Sequence, residues 1–167
     1  MTSTIFSRPL TPDDLPLVSR LHAKVFGPGR FARSAYRVRE GTPPISDYCR
    51  ACFIEERMVA AVRFTEIAIG GAGNALLLGP LAVDPEFAGK GYGRGLIGEA
   101  MAAAAANGIR LIVLVGDEPY YTRFGFRPVP PGQIVLPGPA NPARILAAEI
   151  EPGALQSYRG LIVAKCA

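Results

Sequence analysis

The stretch LLLGPLAVDPEFAGKGYGRGLIGEAMAAAAAN, from Leu76 to Asn107, decides the fold of this 167-residue chain. Its apolar first part, Leu76 to Val83, predicts a buried strand. A glycine-rich loop follows, and a helix is then predicted from about Arg94 to Ala106, where Asn107-Gly108 ends it. One stripe of this helix should pack against a sheet. Its apolar residues are Leu96, Ile97, Ala100, Met101 and Ala104.

The loop between this strand and this helix is suited to holding a phosphate group. It contains Gly89, Gly91, Gly93 and Gly95. Glycines allow a guest to approach the backbone closely. The first N–H groups of a helix have no partner within the helix, and the helix dipole there favours an anion. Lys90 and Arg94 add positive charge beside these groups.

The same loop raises the alternative of a dinucleotide site, because GRGLIG at Gly93–Gly98 matches G-x-G-x-x-G. That fingerprint must begin where the strand ends. Here about nine residues separate Val83 from Gly93, and Gly98 would lie inside the helix, so the spacing disfavours a nicotinamide or flavin site. The Walker pattern is absent from the sequence. A flexible loop with no ligand is the remaining alternative.

Two segments resemble the GNAT superfamily of N-acetyltransferases. Leu81–Leu96, LAVDPEFAGKGYGRGL, resembles the acyl-CoA signature, in which a strand and an Asp-Pro-Glu turn precede Gln/Arg-x-x-Gly-x-Gly/Ala. Gly91 and Gly93 match its glycines, whereas Ala88 stands where the family usually has Gln or Arg. Tyr120–Phe126 resembles the downstream Tyr-x-x-x-Gly-Phe motif. The resemblance extends over roughly residues 5 to 130.

The resemblance implies a GNAT-like fold of the α/β class (an α+β mixed sheet), with an antiparallel N-terminal meander, a splayed central pair of parallel strands and flanking helices. We expect residues 1–167 to form a single domain. The resemblance also implies that acetyl-CoA is the acyl donor. The expected donor-binding residues are Leu81, Ala82, Val83, Ala88, Gly89, Lys90, Gly91, Tyr92, Gly93 and Arg94.

The segments before the central strand predict an antiparallel meander. A first strand at Ile5–Pro9 precedes a helix that begins with Thr11 as N-cap and Pro12 at the first helical position. His22 is expected at the edge of the packed face of this helix. Two further strands are predicted at about Asp47–Ile54 and Met58–Ile69.

A bulge is predicted in the central strand at Gly79-Pro80, because proline cannot donate to a sheet ladder. Such a bulge would free backbone groups of Leu81–Val83 for a ligand, and the resemblance implies that the pantetheine arm pairs there. After the helix, Leu111–Val115 reads as a buried strand parallel to the central one. In the proline-rich tail, Ala143–Ala148 could be a helix or Ile145–Ile150 a strand, and Gly160–Ala164 is expected to close the sheet.

Catalysis by this chain would need a proton donor and a proton acceptor. Tyr121 matches the family tyrosine that protonates the leaving thiolate, and Tyr120 is the adjacent alternative. Glu66 shares a strand face with apolar residues and is a candidate general base. Asp117, Glu118 and an ordered water are the alternatives. The backbone near Leu81 could stabilise the oxyanion.

A row of arginines suggests a preference for the acceptor. Arg30, Arg33 and Arg37 would share one face of a second helical piece over Arg30–Arg39. The row is either a solvated face or, because the family's first helices line the acceptor entrance, a site favouring an acceptor with a carboxylate or phosphate.

Composition places the chain among globular proteins, with 49% hydrophobic residues, a net charge of +4 and a pI near 9.2. This charge suits an anionic ligand such as coenzyme A. No basic tract or nucleic-acid module is recognised, and neither a membrane span nor a secretory signal, so we expect no nucleic-acid or membrane partner and a cytoplasmic location. Cys49 and Cys52 spell C-x-x-C, but an offset of three puts them on opposite strand faces, which favours a structural role.

The sequence therefore predicts an N-acetyltransferase that moves an acetyl group from acetyl-CoA to a primary amine of a small molecule or an amino-acid-like or peptide acceptor. A non-catalytic acyl-CoA-binding regulatory module and a nucleotide-dependent oxidoreductase are the alternatives. The oligomeric state is open, with a homodimer as one possibility.

Overall fold

The computed structural model describes residues 4–27, 38, 43 and 45–165. The strands found there are β1 (Ile5–Pro9), β2 (Arg50–Ile54), β3 (Arg57–Ile69), β4 (Ala72–Val83), β5 (Leu111–Val115), β6 (Arg127–Pro128), β7 (Ile134–Val135), β8 (Ile145–Glu149) and β9 (Gly160–Ala164). The α-helices found there are α1 (Leu15–Phe26), α2 (Tyr92–Ala106) and α3 (Glu118–Tyr121). Single 3-10 turns lie at Pro12–Asp14, Pro85–Phe87, Thr122–Phe124, Pro142–Arg144 and Ala154–Ser157.

These strands build one mixed sheet in the order β1-β2-β3-β4-β5-β8-β6. The first four strands are antiparallel neighbours, which confirms the predicted meander. β4 and β5 are joined through α2 and run parallel, as a strand-helix-strand crossover requires. The last strand, β9, pairs with the end of β3 and with β7.

The two faces of the sheet are covered by different parts of the chain. On one face, α2 buries Leu96, Ile97, Ala100 and Ala104 against the sheet, which confirms the predicted stripe except that Met101 is only half-buried. The other face carries two clusters. One packs α1 against β1–β4, and the other surrounds the fully buried Tyr158 near the end of β3. α2 is thus fixed along the central strands, with its first turn beside the end of β4.

The structure refines the predicted starts of α2 and α1 and decides between the two alternatives in the tail. α2 begins two residues early, because Gly91 adopts a left-handed conformation (φ 84°) and serves as the N-cap. Thr11 and Pro12 begin a 3-10 turn that leads into α1, and the Thr11 hydroxyl donates to Asp14 because that carboxylate can only accept. In the tail, the strand alternative was correct: Pro142–Arg144 is a 3-10 turn, and β8 follows it.

No helix in the described ranges is both long and apolar enough to span a membrane.

Candidate active site

The central feature of the site is a gap between β4 and β5. The two strands pair only where Ala75–Leu77 lies beside Leu111–Val113. Beyond that point, β5 continues alongside β8, while β4 continues alongside β3 up to Val83. The edge of β4 that faces the gap therefore has no strand partner in the described chain. This is the splayed central strand pair that the family resemblance implied.

A bulge at Gly79-Pro80 shapes this part of β4. Against β3, the register shifts between the pairs Phe64–Leu78 and Val62–Leu81, which confirms the predicted bulge. Leu78 and Leu81 are three residues apart, so a regular strand would place them on opposite faces. Both instead contribute to the cluster under α2. The bulge therefore returns Leu81 and Val83 to the side of the sheet on which α2 begins.

The loop that links β4 to α2 presents a run of free backbone N–H groups. Gly89 and Gly91 have positive φ values of 77° and 84°, where glycine avoids strain. The first backbone bond into the helix is donated by Gly95 to the Gly91 carbonyl, at 3.0 Å. Within the described chain, no N–H group from Gly89 to Arg94 donates a backbone hydrogen bond. Such a concave run of amides at a helix start is suited to binding an anion.

Positive side chains lie around this amide run. Lys90 and Arg94 are exposed, and the Lys90 ammonium lies 5.7 Å from the centre of the Phe87 ring. The Arg57 guanidinium lies 4.9 Å from the same ring. Ala88 offers no side-chain contact beyond its methyl group, so the charge for an anionic ligand would come from these neighbouring cations.

Asp84 anchors the start of the loop. Its carboxylate is buried and accepts hydrogen bonds from Lys24 of α1 at 2.9 and 3.1 Å, from Arg57 at 3.0 Å and from the Glu86 backbone at 3.0 Å. The bond from Lys24 is the largest cause that lowers the pKa of Asp84 to about 2, although burial opposes it. The residue therefore stays ionised and ties α1 and β3 to the loop.

The neighbouring tyrosines of α3 lie at the gap. Their rings are nearly perpendicular, with centroids 4.9 Å apart. The Tyr121 ring lies against Gly116, directly after β5, whereas the Tyr120 hydroxyl lies against Gly93 of α2. Burial, followed by the nearby charges of Tyr120 and Asp117, raises the pKa of Tyr121 to about 12, with Arg144 opposing the shift. Tyr121 therefore carries its proton at neutral pH.

The predicted base, Glu66, lies elsewhere. It is exposed, faces Leu76 in the register of β3 and β4, and has Lys165 Nζ at 3.9 Å. Leu76 lies five residues before Leu81, which is roughly 15 Å along a strand. Its role as a base stays a prediction, and this position does not favour it.

The other acidic candidates are near α3. Asp117 and Glu118 are exposed, and Asp117 forms an ion pair with Arg144 at 3.2 Å. Both residues follow shortly after β5 and are near Tyr121 in sequence. They therefore lie at the end of the sheet that borders the gap, unlike Glu66.

Arg30, Arg33 and Arg37 lie outside the described residues. Cys49 and Cys52 are buried free thiols that belong to clusters on opposite faces of the sheet, as predicted. His22 is buried on α1 and packs near Phe26. Among the described residues, no group of three His, Cys, Asp or Glu side chains could hold a metal ion.

The position of the Tyr120 hydroxyl and the anchor at Asp84 were not predicted from the sequence. The position of the Tyr120 hydroxyl depends on the tertiary packing of α3 against α2, and the sequence contains no signal for it. The anchor at Asp84 had a local signal, since an Asp before a Pro is typical of an N-cap. Its partners Lys24 and Arg57 are 60 and 27 residues away, so no local pattern identifies them.

Known proteins that this chain resembles are acetyltransferases of the GNAT family. Residues 48–128 match the family model described as acetyltransferase (GNAT) domain. Among curated proteins, the uncharacterized N-acetyltransferase YhbS of Escherichia coli (strain K12) is 26% identical over 109 residues, which is 65% of this chain and 65% of that protein. The match therefore spans just under two thirds of the length of this curated relative.

Solved structures show the same fold. The crystal structure of the GNAT family N-acetyltransferase YhbS from Escherichia coli in complex with CoA has a TM-score of 0.82 and 23% identity, covering 99% of this chain and 92% of that one. A GNAT family acetyltransferase from Brucella melitensis in complex with acetyl-CoA has a TM-score of 0.64 and 24% identity, covering 87% of this chain and 96% of that one.

Proposed function

We propose that this chain transfers an acetyl group from acetyl-CoA to a primary amine, because residues 48–128 match the family model of the GNAT acetyltransferase domain and the chain has the fold of a solved GNAT structure. The observation that carries the proposal is the run of unengaged N–H groups from Gly89 to Arg94 at the open end of the gap. A diphosphate fits such a run, because every N–H can donate to an anionic oxygen.

The donor would enter along the gap. Its diphosphate would lie on residues 88–94, and its pantetheine arm would pair with the free edge of β4 at Leu81–Val83. Two structural neighbours were solved with CoA and with acetyl-CoA, which supports this class of donor. This arrangement brings the thioester toward the end of the gap that α3 covers.

The reaction would be a direct transfer. A neutral amine attacks the thioester carbonyl, a C–N bond forms, the tetrahedral intermediate collapses, and the C–S bond breaks to release the coenzyme A thiolate. A backbone N–H after the bulge, near Leu81, would stabilise the oxyanion. Tyr121 would give its proton to the departing thiolate. With a pKa of about 12, the hydroxyl holds its proton at physiological pH, so the proton is present when the thiolate forms.

The proton of the attacking amine needs its own acceptor. Asp117 and Glu118, exposed near α3, could accept it through ordered water, and Glu66 remains the third candidate. A small-molecule or peptide amine is the acceptor class that we propose, and the arginine row Arg30, Arg33 and Arg37 would favour an acceptor with a negative group. We place the reaction in the cytoplasm, where the thiols of Cys49 and Cys52 stay reduced.

The first experiment separates an enzyme from a binding module. Calorimetry with acetyl-CoA and with free CoA should show binding, and a panel of amino acids, polyamines, aminoglycosides and peptide N-termini should contain an acceptor that stimulates CoA release. Binding without turnover across the whole panel would favour the non-catalytic alternative. No heat with either form of the coenzyme would refute both.

A second experiment tests the role of Tyr121 on the acceptor so identified. Tyr121→Phe should lower kcat by about 10²-fold, because general acid catalysis typically contributes this much. The dissociation constant for CoA should change little. An unchanged kcat would remove Tyr121 from the chemistry.

A further inference from the structure

Tyr120 and Tyr121 of α3 contact opposite sides of the gap between β4 and β5. A Cβ placed on Gly116, which follows β5, would lie 2.7 Å from Cε2 of Tyr121, so that ring packs closely against the end of β5. A Cβ placed on Gly93, in the first turn of α2, would lie 3.4 Å from the hydroxyl of Tyr120. The Tyr121 ring and the Tyr120 hydroxyl therefore lie on different sides of the gap.

The Tyr120 hydroxyl is close to the donor-facing end of β4. The same Cβ position on Gly93 lies 3.2 Å from Val83 Cγ2 and 3.4 Å from Leu81 Cδ1. The hydroxyl and these two side chains thus meet around one point, beside the backbone at which the pantetheine arm is expected. Leu81 and Val83 point to this side because of the bulge at Gly79-Pro80.

Neighbouring side chains fix the position of this hydroxyl. The Tyr120 ring packs against Tyr121 at 4.9 Å and Phe124 at 6.0 Å, and the Arg123 guanidinium lies 5.0 Å from its centre. A ring held on several sides presents its hydroxyl in one place, at little cost in conformational entropy on binding.

This hydroxyl makes no hydrogen bond to another residue of the described chain. The side chain is half-buried among apolar groups. The hydroxyl is not fully buried, so a ligand in the gap can reach it, and an acceptor on that ligand would pair with a donor that no residue of the described chain engages. The pantetheine arm of coenzyme A carries two amide carbonyls, which are acceptors of this kind.

We propose that Tyr120 is a donor-binding residue whose hydroxyl donates a hydrogen bond to the pantetheine arm of coenzyme A. The two tyrosines would then have different roles: Tyr120 binds the donor from the β4 side, and Tyr121 protonates the sulfur of coenzyme A from the β5 side. The inference rests on the proposed function, because it requires coenzyme A in the gap.

The test compares two ligands on the full-length protein by calorimetry. Coenzyme A contains the pantetheine arm, whereas adenosine 3′,5′-bisphosphate lacks it. Tyr120→Phe should weaken CoA binding by about fivefold, the effect of losing one neutral hydrogen bond. It should leave the affinity for the bisphosphate unchanged. In kinetics, Tyr120→Phe should raise the KM for acetyl-CoA with kcat within about twofold of wild type, the reverse of the pattern for Tyr121→Phe.

Tyr158→Phe is the matched control, because it also removes one hydroxyl. Its hydrogen bond to the Gly73 carbonyl, at 2.6 Å, lies away from the gap. This variant should lose stability and keep the wild-type affinity for CoA. An unchanged affinity of Tyr120→Phe for CoA, or an equal loss for both ligands, would overturn the inference while leaving the proposed function intact. A wild-type protein that binds no CoA would overturn both.

Discussion

At Gly116, one added methyl group would reach the side chain proposed as the acid. A Cβ there would lie 2.7 Å from Cε2 of Tyr121 and 3.0 Å from Cδ1 of Leu114. Gly116→Ala should therefore push the tyrosine ring out of place and lower kcat with the hydroxyl still present. We expect a loss on the order of 10²-fold, as for a misplacement of about 1 Å. Steady-state kinetics with acetyl-CoA and the identified amine measure it.

Gly98→Ala is the matched control for this substitution. Gly98 is an exposed residue within α2, and a Cβ there would have open space. The variant should keep wild-type kcat and gain roughly 1 kcal/mol in the free energy of unfolding, because alanine is the better helix former. Wild-type kcat in Gly116→Ala would show that the ring position does not matter.

The buried hydroxyl of Tyr121 also predicts how stability depends on pH. Its folded-state pKa of about 12 lies above the unfolded value of about 10. Its stabilising contribution is therefore complete below about pH 10 and disappears as the pH rises toward 12. Denaturant titrations at about pH 9 and pH 11 should show a smaller loss of stability in Tyr121→Phe than in wild type. Equal losses would contradict the burial of this group.

At the scale of elements, Asp84 fixes the loop that precedes α2. Asp84→Asn keeps the shape of the side chain but removes the charge that holds Lys24 and Arg57. The loop from Pro85 to Gly91 should then be held less firmly, so its backbone N–H groups bind the diphosphate more weakly. The KM for acetyl-CoA should rise about tenfold, which is equivalent to 1.4 kcal/mol. The effect on kcat should be small.

Asp14→Asn provides the comparison. Asp14 is also a buried carboxylate whose pKa is lowered to about 2, chiefly by its hydrogen bonds with Arg8. It lies at the start of α1 and does not contact the loop. Both variants should lose stability at neutral pH, because each wild-type carboxylate stabilises the fold above about pH 4 and loses this effect as the pH falls toward 2. Only Asp84→Asn should change the KM for the donor.

Local signals identified the elements well wherever chain breakers flank them. β1, β5 and β9 have the predicted bounds, and the end of α2 at Asn107-Gly108 was also correct. The segment at Ile145–Glu149 was ambiguous, because a short run of isoleucine, leucine and alanine suits either a helix or a strand. Its pairing with β5 decides for the strand, and that partner is 30 or more residues away.

At the scale of the whole molecule, the sequence predicted the mixed sheet and its parallel pair but not the residues that complete the site. The amides of the loop could be inferred, because glycine spacing is a local property. The contact of Tyr120 with Gly93 and the ties from Lys24 and Arg57 to Asp84 could not, because each depends on segments that meet only in the folded chain.

The short pairing between β4 and β5 has a consequence for isotope exchange. Ala75–Leu77 has strand partners on both sides, whereas Leu81–Val83 has one on the β3 side alone. Without coenzyme, deuterium should therefore enter slowly at the first segment and quickly at the second and at residues 89–94. Saturating coenzyme A should bind in the gap, engage the free backbone N–H groups there and slow deuterium uptake at these two fast segments. Equal uptake with and without the coenzyme would show that the opening is not where it binds.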